Sequence, residues 1–210
     1  MEKSLTAIVI KAEERKDNDY LIRLFSAEGI ISAVLRGVRK SGAKMKFAAQ
    51  PLAFCVYELN GNQIPVVTGA SQIEDFSAVA ADIVKFTACT AMLEAADYSA
   101  SAVDCAESFV SLLKCIKAVM YEGVDARAAA IKYMQKLLFL SGFFRPERNK
   151  NQTAGMSEAK MLEIQIASSY LDDLSGLCAD EDTLSAALCN TAAVFEKYFY
   201  CSVKSIRFFS

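Results

Sequence analysis

Histidine is missing from all 210 residues. Its absence removes Ser-His and Cys-His nucleophile pairs, the commonest general base, and every metal site built on imidazole. The nine glycines do not cluster, and neither a Walker loop nor a Gly-x-Gly-x-x-Gly turn occurs. With three prolines and 53% hydrophobic residues, the chain has too much apolar surface to stay disordered. The apolar stretch near Ile131–Phe144 is broken by Lys132 and Lys136, so it falls short of a membrane span. Met1-Glu-Lys-Ser leads straight into a strand-like run, so no signal peptide is expected. The chain reads as cytoplasmic and soluble, with no membrane partner.

Cysteine is present but without the usual spacing. The seven residues (55, 89, 105, 115, 178, 189, 201) are odd in number and never form Cys-x-x-Cys. A disulfide framework is therefore not expected, and most of these thiols read as small reduced hydrophobes in apolar surroundings. Cys178, Cys189 and Cys201 lie too far apart in sequence for a tetrahedral zinc site, so neither metal nor cofactor is expected.

One more absence is local. Between Glu28 and Glu58 there is no acidic residue, yet Arg36, Arg39, Lys40, Lys44 and Lys46 fall there. The first 50 residues hold ten cations and six anions, a net of +4, whereas the whole chain has a net of −2. Residues 51–210 are therefore acidic. A one-sign run between two apolar strand-like segments makes a fixed positive patch suited to a polyanion.

The hydrophobic period changes along the chain. Strands are predicted over Leu5–Ala12, Tyr20–Ser26, Ile30–Leu35, Phe47–Tyr57 and Gln63–Thr68, with turns at Ala27-Glu28-Gly29 and Asn60-Gly61-Asn62. Five short strands with one long basic loop suit an OB-like β-barrel. From about Ser77 the spacing becomes helical, over Val79–Tyr98, Glu107–Tyr121, Asp125–Ser141, Ser157–Leu174 and Asp182–Cys201. Gly142 is placed as a C-terminal cap, and Ser157 and Asp182 as N-caps. The expected fold is α+β: an N-terminal five-stranded OB-like barrel over residues 1–76, then an all-α domain over 77–210.

The candidate nucleic-acid-binding residues are Arg36, Arg39, Lys40, Lys44 and Lys46, extended by Lys11, Arg15, Lys16 and Arg23. Their action would be electrostatic, with phosphate neutralisation and counterion release. Gly37 and Gly42 would let the backbone turn tightly. Tyr20, Phe25, Phe47 and Tyr57 are available to stack on bases, although in so small a barrel each more often belongs to the core. The loop Glu13-Glu-Arg-Lys-Asp-Asn-Asp19 holds enough carboxylates for a metal-free enzyme, but it reads more simply as a solvated strand connection. No catalytic residue is assigned. Arg145, Arg148 and Lys150 form a second small cationic group or an ordinary solvated loop.

Several segments, in order, resemble the RecO family of bacterial recombination mediators. They are Ala7-Ile-Val-Ile-Lys11, Asp19-Tyr-Leu-Ile-Arg-Leu-Phe25, Ser26-Ala-Glu-Gly29, Leu35-Arg-Gly-Val-Arg-Lys-Ser41 and Gln50-Pro-Leu52. Leu138-Phe-Leu-Ser-Gly-Phe143 with Pro146, and Tyr198–Phe209, are similar to later family segments. Many members carry paired Cys-x-x-Cys zinc ligands after the Gly-Phe-x-Pro helix end; here Arg145–Gly155 has no cysteine. The resemblance implies a non-enzymatic DNA repair and recombination mediator. Such a protein binds single- and double-stranded DNA, promotes annealing and helps load RecA onto strands coated with single-strand-binding protein. It also implies a RecR-like partner and the acidic tail of single-strand-binding protein as ligands. The competing expectation is a protein-interaction module that keeps the scaffold but has lost DNA binding.

Overall fold

The computed structural model describes residues 2–40, 42–143 and 156–210. The chain divides into two compact units, Met1–Ala78 with Cys105–Phe109, and Val79–Asp104 with Val110–Ser210.

The first unit is a closed barrel. Its strands are β1 (Glu2–Glu14), β2 (Tyr20–Ser26), β3 (Gly29–Leu35), β4 (Phe54–Asn60) and β5 (Val66–Glu74), ordered β1-β2-β3-β5-β4. All neighbours are antiparallel except β3 and β5, which meet in parallel at Val34 and Val66 and close the barrel. This is the OB-like arrangement that the strand pattern and the long connection suggested. Alternation selects the lining: Leu5, Ala7 and Val9 face Ile22, Leu24, Leu35, Tyr57 and Val67 inside. The opposite face of β1 is covered as well. Ile8 lies between Phe25 and Phe54 in the ladder. Phe109 meets Phe25 edge-on at 5.5 Å, and Phe54 stacks on Phe76 at 6.1 Å. Phe25 and Tyr57 are thus fully buried and cannot serve as base-stacking platforms.

Two strand boundaries differ from the sequence pattern. The run Phe47–Tyr57 does not form one strand, because Gln50–Ala53 is a tight turn. Ala53 N–H donates to Gln50 O at 3.0 Å, and Leu52 adopts a left-handed φ of 72°. Pro51 presets the turn, so β4 begins only at Phe54. The last strand starts at Val66, not Gln63, since Pro65 cannot donate to a ladder. It continues to Glu74 through polar residues that alternation alone does not reveal.

The second unit is helical: α1 (Ile83–Ser99), α2 (Cys105–Tyr121, of which the first turns belong to the barrel unit), α3 (Ala126–Leu140), α4 (Glu158–Ser168) and α5 (Glu181–Phe199). Side-chain caps start them. Asp82, Asp125, Ser157 and Asp180 accept backbone N–H bonds from α1, α3, α4 and α5 respectively. The cap of α5 is therefore Asp180 rather than Asp182. Both are acidic, and only the one whose carboxylate reaches Thr183 N–H, at 2.8 Å, can cap. Helix α4 ends at Ser168, short of the expected Leu174, and a 3-10 turn takes over at Asp172–Gly176. After α3, Gly142 (φ 80°) and Phe143 donate to Phe139 O and Leu138 O, the paired bonds of a Schellman ending. Met92, Leu93, Leu112, Ile116, Tyr133, Leu137 and Phe195 are buried here.

Two cations in this unit, Arg127 and Lys132, turn inward. Arg127 Nη2 lies 2.8 Å from Asp125 Oδ2, and its Nη1 reaches Glu181 O at 3.4 Å. Lys132 Nζ donates to Ile166 O, Ala167 O and Ser169 O at 2.7–3.1 Å, closing the carbonyl end of α4. Burial pulls the Lys132 ammonium below its ordinary range and pushes the nearby Cys115 thiol up to about 12. All seven cysteines are free thiols: Cys55, Cys89 and Cys115 are buried, Cys178 is exposed, and the others are half-buried. No helix among the described residues is long and apolar enough to cross a membrane.

Candidate nucleic-acid interface

Residues 36–53 connect β3 to β4, and the connection is fastened along its length. Gly37, at a φ of 66° that suits glycine, donates its N–H to Asp19 Oδ1 at 2.7 Å. Arg39 N–H donates to Asn18 O at 3.2 Å. Val38 is buried in the barrel core between these bonds. Farther on, Phe47–Ala49 forms a 3-10 turn whose Ala48 and Ala49 are buried. The Tyr57 hydroxyl donates to Ala48 O at 3.1 Å, and burial pushes this phenol well above its ordinary pKa. Val9 and Leu52 complete the fastening, through Val9 N–H to Ala53 O and Leu52 N–H to Val9 O.

The apolar residues of the connection are thus drawn in, and the charged ones are left outside. Arg36, Arg39, Lys40, Lys44 and Lys46 are all exposed. Arg39 Nη1 lies 2.9 Å from Glu14 Oε2. None of the other four pairs with a carboxylate among the described residues. The sequence pattern gave no sign of the Arg39–Glu14 pair, which depends on the β1–β2 turn lying alongside the basic connection. That turn is held by Asp17 and Asn18 at positive φ, a conformation these two residue types tolerate.

Lys11 on β1 lies directly opposite Arg23 on β2, and Lys11 Nζ pairs with Glu13. The hydrogen bond and charge of Lys11, with a smaller contribution from Arg23, hold the Glu13 carboxyl below its usual range. Arg15 is exposed in the β1–β2 turn and lines a cleft with Glu14, Asp17, Asp19 and Arg39. The side chain of Lys16 lies outside the described residues, as do Arg145, Arg148 and Lys150 and the rest of Arg145–Gly155. Of the four aromatic candidates, Tyr20 and Phe47 remain half-exposed. No group of three His, Cys, Asp or Glu side chains able to hold a metal ion comes together among the described residues.

Residues 1–76 match the family described as Recombination protein O N terminal. Through this domain the chain is similar to the RecO family. Similar proteins named DNA repair protein RecO come from Heliobacterium modesticaldum, 33% identical over 95 residues, and from two strains of Desulfitobacterium hafniense, each 37% identical over 93 residues. Each match covers 43% of this chain and 34% of the relative, so the shared stretch is about a third of those proteins' length. The RecO family match ends at the last residues of the barrel unit. The later segments Leu138–Phe143 and Tyr198–Phe209 rest on their sequence resemblance to RecO alone.

Proposed function

We propose that this chain is a non-enzymatic, cytoplasmic DNA repair and recombination mediator whose barrel, residues 1–76, binds single- and double-stranded DNA. Arg36, Arg39, Lys40, Lys44 and Lys46 form the principal contact, and Lys11, Arg15, Lys16 and Arg23 extend it. The observation that carries this reading is the anchored connection between β3 and β4, which exposes four cations without carboxylate partners among the described residues. Such groups exchange condensed counterions for phosphate contacts and need no base sequence. One cationic surface that screens two backbones at once also lowers the repulsion between complementary strands, a physical route to annealing. RecA loading on strands coated with single-strand-binding protein, a RecR-like partner and the tail of single-strand-binding protein follow from the family relationship. We assign these protein contacts to the helical domain, 77–210.

Anisotropy titration of a labelled oligonucleotide across salt concentrations tests the reading. Five contacts on a single strand give a log–log slope of roughly −3.5, at about −0.7 per contact. Removing charge at Arg36, Arg39 and Lys40 together is expected to flatten that slope by about 2. No binding at low salt would overturn it in favour of a protein-interaction module on the same scaffold.

A further inference from the structure

Beside the basic connection, the barrel unit carries a groove of about 520 Å³, within the roughly 300–1,000 Å³ range of small-ligand sites. Its walls combine three kinds of chemistry: the cations Arg39 and Lys46, the aromatic ring of Tyr20, and the amide of Gln50, with Val38 and Pro51 as apolar floor. Tyr20 is half-buried and packs against the barrel core, so its ring is held in place. Gln50 is exposed, and its backbone is fixed by bonds to Phe47 and Ala53 while its amide remains available. At the groove, the Glu14 carboxylate lies 2.9 Å from Arg39 Nη1 and 3.5 Å from the Tyr20 hydroxyl. An anionic group therefore already occupies the Arg39 guanidinium, next to the ring.

We propose that this groove is a nucleotide subsite for single-stranded DNA. One unstacked base lies against Tyr20, with its edge toward Gln50. The adjoining phosphate takes Arg39 and Lys46, and Glu14 is the internal anion that this phosphate displaces. The inference rests on the reading that the barrel binds DNA. It adds a base-dependent contact to a surface otherwise blind to bases. An unpaired strand offers such a base freely, whereas a duplex must first unstack one. The pair Glu14–Arg39 is solvent-exposed, so a phosphate meets little resistance in replacing it.

The test compares a labelled oligothymidylate with an abasic strand of equal length and charge, using the full chain. Wild type is expected to bind the base-bearing strand about tenfold more tightly, the order of one base stack. Tyr20→Leu should lose that preference and leave abasic binding unchanged, while Tyr20→Phe should keep it. Glu14→Gln should tighten both strands severalfold and steepen the salt slope by about 0.7. Gln50→Ala, at an exposed position, should weaken only the base-bearing strand, and it carries the test if Tyr20→Leu does not fold. Equal wild-type affinity for the two strands overturns the subsite and leaves DNA binding standing. So does an unchanged Glu14→Gln, or a Gln50→Ala that weakens both strands alike. If wild type binds neither strand at low salt, the DNA reading itself fails and the subsite falls with it.

Discussion

The basic connection of the barrel and two cations of the helical unit, Arg127 and Lys132, use the same kinds of side chain in opposite ways. In the barrel, Arg36, Lys40, Lys44 and Lys46 stand exposed without carboxylate partners among the described residues. In the helical unit, Arg127 is 8% exposed and bonded to Asp125, and Lys132 spends its ammonium on three backbone carbonyls. A buried cation left unpaired is costly, so partners must accompany it. An exposed one is hydrated at little cost, and its partner can be something that arrives later. Cations that support the fold and cations free for a ligand are thus separated by burial rather than by residue type.

That contrast makes Arg127→Met the most damaging single change. It takes the guanidinium from the Asp125 carboxylate, which keeps only its backbone cap bonds, and because Asp125 is part-exposed the expected cost is about 3 kcal/mol, the low end for a buried pair. Thermal denaturation followed by circular dichroism should show the loss, with oligonucleotide affinity of the folded protein unchanged. The same pair gives a pH signature. Burial alone would raise the Asp125 carboxyl, but hydrogen bonds and charge from Arg127 outweigh it and set it below the ordinary value. A carboxyl depressed in the folded state stabilises fully above its unfolded pKa, near 3.9, and loses that contribution as pH falls through the lower folded value. Arg127→Met should weaken this acid-side slope, since only the backbone N–H bonds to Asp125 remain to favour its charged form. A profile identical to wild type would show that the pair does not carry it.

Lys132→Met comes next. It leaves three carbonyls at the end of α4 without their donor, and the expected cost is about 2–3 kcal/mol, or roughly 4–12 °C in Tm. If stability were untouched, the inward cations would be no more structural than the outward ones, and the comparison would break.

Tyr57→Phe tests the boundary between the two behaviours. It removes the hydroxyl that holds Ala48 O beneath the basic connection. The expected loss is about 1 kcal/mol. Oligonucleotide affinity should fall modestly as well, because the charges beyond that anchor become less well placed. A stability loss with no change in affinity would mean that the connection needs no anchoring there.

The sequence made the barrel's existence, the helical second half and the basic run readable, because each depends on local alternation, helical spacing or charge. Ser157 and Gly142 were identifiable as helix punctuation for the same reason. Features that depend on distant residues coming together were not. Glu14 and Arg39 are neighbours only because the β1–β2 turn lies along the 36–53 connection. Phe25 and Tyr57 were equally good stacking candidates until the barrel closed around one and an aromatic cluster covered the other. Leu52 defeated the strand pattern because a left-handed leucine is rare; Pro51 before it was the available clue.

Because the connection is tied down at Gly37 and Arg39 on one side and, with Met45 and Phe47 on the core, at Ala48 and Leu52 on the other, a change near Ala43 is insulated from the strands. Peptide grafted after Ala43 should leave the barrel's register intact and change only how far the surface reaches. The scaffold would then accept new specificities by cassette exchange, with loop length adding only slowly to the entropic cost of closing it.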